Sequence, residues 1–331
     1  MLKKRTLGRT GLQVTELSMG GLFVASFAAE FEQARQAVQY ALKAGINYID
    51  TAPGYGNSEE VLGKCLQGEK APLIISTKLG GRPQPFNPQD ADGLRKSVEE
   101  SLRLLHRDHI DILMIHEPDR GKQYDWWTDW DKFEGPVLDV IAELKEKKII
   151  RYTGLGGTTT TELARLCRSG KFDVVLTAFN YSLLWREAAL EIIPAAKEQN
   201  MGIVIGSPLQ QGALAVRQDA VIKSGAPWLS KPRREQFRAL YALLDDVNLS
   251  LPELGLRFVL SNPDISCVLM GARSVQEGQQ NIIAAEKGPL PPALLKRLDE
   301  IAAMVPFRPY NEPFGLPFHV TSGYKGPGLA H

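Results

Sequence analysis

Four residues of different chemistry sit near the ends of short apolar runs. Asp50 closes "INYID", Tyr55 lies between two glycines in "APGYGNSEE", Lys78 falls late in "LIISTKLG", and His116 closes "IDILMIH". A turn is made most cheaply by Gly, Pro, Asn, Asp or Ser, and Asn57 with Glu60 already supplies a capping pattern for a following helix. Tyr55 is therefore not a turn-forming choice. A phenol with an unperturbed pKa of about 10 keeps a donatable proton near neutrality and becomes a base only where a cation stabilises its anion. Lys78 is the candidate cation: at about 4 Å and an effective dielectric of about 20 the attraction is roughly 4 kcal/mol, up to about three pKa units before desolvation is subtracted. Asp50 would hold the ammonium, and His116 would polarise a substrate oxygen or relay the proton. Each residue alone has an ordinary role, as a loop cap, a packed turn aromatic, a solvated strand end or a polar residue before Glu117-Pro118. Together they form a reversible acid/base for a carbonyl and its alcohol. A proton moved at oxygen needs a hydride moved at carbon, which points to a nicotinamide cofactor.

The set has to be brought together by the elements around it. "RTGLQVTEL" reads as a hairpin around Thr10-Gly11, followed by a strand near Leu17 to Gly21 and a helix over 32–44. The strand "INYIDTA" precedes a helix over 58–66, "LIISTKLG" one over 90–105, and "IDILMIH" one over 135–147. Four more strands, "IRYTGLGG", "VVLTAFN", "IVIGSP" and "SCVLMGA", alternate with helices near 161–168, 187–199, 233–260 (broken around Ser250-Leu251-Pro252) and 275–285. Strands apolar throughout, each followed by a helix, imply a parallel sheet covered on its outside, and eight units favour a closed (β/α)8 TIM barrel. An open doubly wound sheet is the second choice, weakened because the first βα turn lacks G-x-G-x-x-G. In a barrel, strand ends and βα loops on one face carry the chemistry, so the four residues should converge.

The 331 residues show no linker, repeat or low-complexity tract, and the expectation is one α/β domain over 1–331 with its C-terminal tail over a surface of the barrel. A net charge of +1 argues against nucleic acid or an anionic membrane as partner. No apolar run approaches a membrane span, and the start has no apolar segment behind its basic residues, which points to the cytoplasm. Cys65, Cys167 and Cys267 are widely spaced with no C-x-x-C pair, which suits buried reduced thiols and no metal site.

Along nearly its whole length the chain resembles the aldo-keto reductases. The motifs are "LGRTGLQVTELSMGG", "YIDTAPGYGNSEEVLG", "STKLG", "DILMIHEPD", "SPLQQGAL" and "LGLRFVLSNPDISCVLMGARSVQEGQQNIIAA", in that order. The resemblance implies a barrel binding extended NAD(P)(H), with Tyr55 as acid/base, Lys78 and Asp50 tuning it, and His116 orienting the carbonyl. It further implies Ser207 and Leu209 in the loop around the pyrophosphate, with Gly271, Arg273 and Asn281 at the adenosine end. Three positions depart from the family pattern. Gly156-Gly157 stands for the Ser-Asn pair that holds the carboxamide, Leu176 for a Gln, and Gly206 for the aromatic that stacks on the nicotinamide. Asn180 and Thr158 are the candidates to replace the lost hydrogen bonds, and the missing stack should cost about 0.5 to 1.5 kcal/mol.

These small residues, with "FDVVLTAFNYS", look more like the aldose or galactose dehydrogenase branch, which makes a sugar the favoured small-molecule substrate and carbohydrate metabolism its setting. Glu277 stands where an Arg usually meets the 2′-phosphate, so the reading favours NAD over NADP, although Arg273 could still clamp a phosphate. Trp126, Trp127 and Trp130 in "EPDRGKQYDWWTDWDKF" fall near the pocket mouth, and Trp126 and Trp127 are the candidate sugar contacts. Two other classes remain: a cofactor-binding sensor or regulatory subunit with little turnover, and a Schiff-base lyase or isomerase using Lys78. The expected assembly is a monomer or small homo-oligomer.

Overall fold

The computed structural model describes residues 2–313 apart from 122, 227 and 311. Two short strands, β1 (Lys4–Thr6) and β2 (Gln13–Thr15), pair antiparallel across a turn in which Gly11 takes a left-handed φ of 70°. Eight parallel strands follow: β3 (Leu17–Gly20), β4 (Tyr48–Asp50), β5 (Ile74–Leu79), β6 (Ile110–His116), β7 (Ile150–Gly157), β8 (Val174–Ala178), β9 (Gly202–Gly206) and β10 (Cys267–Met270). They close in sequence order, with β10 against both β9 and β3. This is the closed (β/α)8 barrel expected from the alternation.

The helices are α1 (Phe31–Lys43), α2 (Ser58–Cys65), α3 (Ala91–Leu105), α4 (Pro136–Glu146), α5 (Thr161–Arg168), α6 (Ile192–Glu198), α7 (Asp219–Ser224), α8 (Lys231–Val247), α9 (Leu251–Leu260), α10 (Val275–Glu286) and α11 (Pro292–Ala303). Their apolar faces follow the helical period. In α1 the buried residues are Ala34, Ala37, Val38 and Ala41, at i, i+3, i+4 and i+7. Ser250 caps α9 by accepting from the Glu253 N–H, and Pro252 occupies its first turn, so the break in the 233–260 segment is a helix start. The run over 187–199 is less regular than its pattern predicts: a 3-10 turn at Glu187–Ala189 precedes α6. The short α7 and the final α11 were not expected.

Two cores result from the period-two alternation of each strand. Inward-facing Tyr48, Ile74, Ile112, Met114, Val174, Leu176, Val204, Cys267 and Leu269 fill the lumen, and Leu7 and Val14 of the hairpin segment join them. Outward-facing Ile49, Ile75, Leu113, Ile115, Leu155, Val175 and Ile205 pack under the helices. All three cysteines are buried and unbridged. Most of the C-terminal tail, residues 314–331, lies outside the described residues. Ahead of it, the buried Glu312 pairs with Arg233 of α8 at 2.8 Å. Among the described residues, no helix is long and apolar enough to cross a membrane.

Candidate active site

The alternation that fills the lumen also aims the chemistry. Tyr48 and Asp50, then Ser76 and Lys78, then Ile112, Met114 and His116 occupy successive inward positions of β4, β5 and β6. Asp50, Lys78 and His116 therefore crown adjacent strands at the same end of the barrel, and register pairs Asp50 with Ser76, Lys78 with Met114, and His116 with Gly156.

Lys78 is 1% exposed, and a buried ammonium is expensive unless paired. It donates to Asp50 Oδ2 at 2.7 Å and to the Thr51 carbonyl at 2.8 Å. The other Asp50 oxygen accepts from Ser76 Oγ at 2.6 Å, and Ser76 is linked to Tyr48 at 2.9 Å. Burial disfavours the Lys78 charge, but Asp50 and Tyr55 outweigh it, and the pKa ends above its ordinary value. Lys78 is thus a fixed cation and not a neutral amine. A Schiff-base role, which needs a free amine, is not favoured by this arrangement.

Tyr55 reaches the same place from the loop after β4. The Tyr55 N–H donates to the Ala52 carbonyl and its carbonyl accepts from the Ser58 N–H, which fixes the turn. Gly56 takes a left-handed φ of 59°, and a Cβ on Gly54 would lie 3.4 Å from His116 Cε1. The flanking glycines bring the loop down onto the histidine. The Tyr55 and His116 rings meet edge to face at 5.8 Å, and Lys78 Nζ lies 4.8 Å from the Tyr55 ring centroid. Burial raises the Tyr55 pKa, Lys78 pulls it back and Asp50 opposes Lys78, so the net direction is upward. The desolvation of the fully buried phenol outweighs the pull of the ammonium, and Asp50 adds to it. At neutral pH the tyrosine is a proton donor.

His116 is driven the other way, its pKa pushed down to about 3 by burial and then by Lys78. Its Nδ1 is buried without a hydrogen-bond partner. An orphaned acceptor is tolerated better than an orphaned N–H, so the neutral ring carries its proton on Nε2. It is built to donate a hydrogen bond.

On the opposite side of the barrel mouth the inward strand ends are small: Gly156 on β7, Ala178 on β8, Gly206 on β9. A Cβ on Gly156 would lie 3.2 Å from Lys78 Cε, and one on Gly206 would lie 3.1 Å from Leu176 Cδ2. At both positions a side chain would crowd its neighbour, so the strand ends beside the four polar residues stay small. Asn180, after β8, donates to the Thr158 carbonyl at 2.7 Å, so these two residues are joined to each other. Ser207, with φ of 50°, and Leu209 follow β9, and Leu209 packs on Gly255 of α9. Gly271 follows β10, where a Cβ would strike the Phe23 ring at 2.4 Å. Asn281 lies half-buried on α10. Asn180, Ser207, Leu209 and Gly271 thus follow the C-terminal ends of β8, β9 and β10, on the same face of the barrel as the four polar residues.

Three expectations need correction. Asn57 does not cap α2; its side chain accepts from the Ser26 N–H at 2.9 Å. Trp126 and Trp127 are buried and present no open face. Their indole N–H groups donate to the His116 carbonyl at 3.0 Å and the Pro118 carbonyl at 2.8 Å, fastening the loop to the end of β6. Glu277 is not a lone carboxylate awaiting a ribose. It holds Arg273 through the guanidinium at 2.7 Å and the backbone N–H at 2.9 Å, so each balances the other.

Sequence reasoning missed a pair of acids after β6. Asp119 accepts from the Thr158 and Thr159 N–H groups and from Thr159 Oγ1, and a Cβ on Gly157 would fall 2.6 Å from its Oδ1. Glu117 accepts from Thr158 Oγ1 at 2.8 Å. Both acids were visible in "HEPD" directly after a strand. Tyr124 and Phe86, whose rings meet at 5.2 Å, were also overlooked.

Comparison with known proteins agrees with this fold. L-galactose dehydrogenase of Arabidopsis thaliana is 29% identical over 86% of this chain and 88% of its own. D-threo-aldose 1-dehydrogenase of Pseudomonas sp is 28% identical over 82% and 89%. The solved structure of an aldo-keto reductase from Bacillus halodurans, in its holo form, superposes with a TM-score of 0.77 at 25% identity, covering 94% of this chain and all of that one. The sequence profile of the Aldo/keto reductase family matches residues 16–303, which span every barrel strand and all four converging residues, and the chain belongs to that family.

Proposed function

We propose that the protein is an NAD(P)(H)-dependent oxidoreductase acting between a carbonyl and its alcohol, with a sugar as the favoured substrate and Tyr55 as general acid/base. The observation that carries this reading is the cluster at the strand ends: a phenol beside a buried ammonium that is itself locked to Asp50 at 2.7 Å, with a neutral imidazole against the phenol. When bound, the cofactor supplies or accepts the hydride. The chain's own residues handle the oxygen. His116 Nε2–H donates to the substrate oxygen and orients it, while Tyr55 delivers the proton in reduction or removes it in oxidation. Lys78 stabilises the phenolate, and Asp50 keeps Lys78 charged and in place.

Asn180, Ser207, Leu209 and Gly271 would line the path of the dinucleotide, with Arg273, Glu277 and Asn281 at its adenosine end. A 2′-phosphate would have to compete with Glu277 for Arg273, which supports NAD over NADP. Sugar dehydrogenases among the relatives support the substrate class. The test follows absorbance at the reduced-nicotinamide band with NAD and NADP against a panel of aldoses and small aldehydes. Cofactor-dependent turnover is the expected result. Tight cofactor binding with no turnover on any substrate would favour the sensor or regulatory subunit instead.

A further inference from the structure

We propose that Glu117, positioned by Thr158, is a specificity-determining residue that accepts a hydrogen bond from a substrate hydroxyl neighbouring the reacting carbon, so that the site selects polyhydroxylated carbonyl compounds over plain aldehydes. This rests on the oxidoreductase reading above and assigns a role to a residue that the proton-transfer set does not use.

Glu117 directly follows His116 with a φ of 52°, a left-handed conformation that costs a non-glycine residue energy. Its N–H is tied to the Gly156 carbonyl at 2.7 Å, so the strain is held by the end of the β6–β7 ladder. The side chain is 12% exposed. One oxygen, Oε2, accepts from Thr158 Oγ1 at 2.8 Å and faces Arg120 Nε at 3.4 Å. Both contacts fall on Oε2. Burial of this carboxyl carries a desolvation cost that a hydroxyl donor to Oε1 would offset.

The surroundings fit such a donor. Lys78 from β5, Tyr55 from the β4 loop, and His116, Asp119, Arg120 and Tyr124 from β6 and its loop are the titratable or charged groups around Glu117. Its charge reaches both Tyr55 and Tyr124 and disfavours ionising either. Tyr124 and Phe86 are half-buried, packed on each other and on Trp126 with centroids at 5.2, 5.4 and 6.0 Å. An acid acceptor beside an aromatic wall matches a sugar ring, whose C–H faces are apolar and whose hydroxyls donate. A plain aldehyde uses neither feature.

Burial and then the Asp119 carboxylate push the Glu117 carboxyl up to about 7. An ionised acceptor binds a hydroxyl more strongly than a neutral one, so affinity for an aldose rises as the pH climbs through this value.

Glu117→Gln and Thr158→Val test this against wild type, with D- and L-aldoses and butanal as probes. Glu117→Gln keeps the shape and removes the charge. The ratio of kcat/KM for the preferred aldose to that for the plain aldehyde should fall about tenfold in Glu117→Gln, and the fall of the aldose KM with rising pH near 7 should disappear. Thr158→Val should shift the ratio in the same direction by less. An unchanged ratio, or a pH dependence that persists in Glu117→Gln, overturns the proposal. Protein-detected NMR titration with the aldose reads binding without turnover. If wild type turns over no substrate, the oxidoreductase reading fails; aldose binding that is lost in Glu117→Gln would still support the Glu117 site, and equal or absent binding would overturn it.

Discussion

Replacing Lys78 by Met separates the cation's effect on Tyr55 from its part in holding the barrel end together. Its Nζ lies 4.8 Å from the Tyr55 ring centroid. At about 5 Å and an effective dielectric of about 20, a unit charge is worth roughly 3 kcal/mol to the phenolate, or about two pKa units. Removing it raises the Tyr55 pKa. Alcohol oxidation, which needs the phenolate, should then become fast only at higher pH, by up to about two units, while carbonyl reduction, which needs the phenol, should persist further into alkali. The substitution also leaves Asp50, 2% exposed, with Ser76 Oγ as its remaining donor among the described residues. Breaking a buried pair on one side costs about 3–5 kcal/mol, so urea unfolding should show a clear loss of stability. Asp50→Asn combined with Lys78→Met removes both charges and should restore much of that stability without restoring the pH profile. The assay is the pH dependence of kcat in both directions, with a deuterated substrate to verify that chemistry limits the rate. An oxidation profile unmoved under that condition would refute the reasoning and leave Lys78 a structural cation.

Tyr55→Phe removes the transferable proton and little packing, so cofactor affinity measured by fluorescence should stay near wild type while kcat falls about 10²–10⁴-fold; retention of a tenth of the rate would show another proton donor. Glu277→Arg removes the acid that grips Arg273 at 2.7 Å and adds a second guanidinium, so the NADP-to-NAD ratio of kcat/KM should rise about tenfold or more. If neither constant moves, the Arg273–Glu277 pair faces solvent and does not read the cofactor. His116, held neutral down to about pH 3, should show no ring protonation by NMR between pH 5 and 8. Because an unfolded histidine charges near pH 6.5, the stability from keeping it neutral is lost as pH falls from about 6.5 towards 3; a ring that titrates near 6.5 in the folded protein would contradict its burial.

The barrel and the four converging residues were legible because both depend on local periods. Strand–helix alternation is written in short local runs, and a residue two places after an inward apolar side chain must itself point inward. Ser76 and Lys78, or Met114 and His116, carry their own orientation. What was not legible depends on which atoms the closed barrel leaves unsatisfied. The carbonyls of His116 and Pro118 come free where β6 ends, and the two adjacent tryptophans supply the donors. Nothing in "DWWTDW" distinguishes that use from a surface for sugars. The same limit hid Glu277, which was read by its place in a family pattern while its partner stood four residues earlier, just ahead of the α10 N-cap. It also hid Glu117 and Asp119, because a carboxylate after a strand is ordinary until β7 arrives with Gly156, Gly157 and Thr158. The absent side chain at Gly157 gives Asp119 room and that at Gly156 gives room to the Lys78 side chain, while the N–H of Thr158 holds Asp119 and its hydroxyl holds Glu117. The glycine pair, which first looked like a loss of cofactor contacts, is therefore the feature that seats the Lys78 stem and the Asp119 carboxylate at the end of β7.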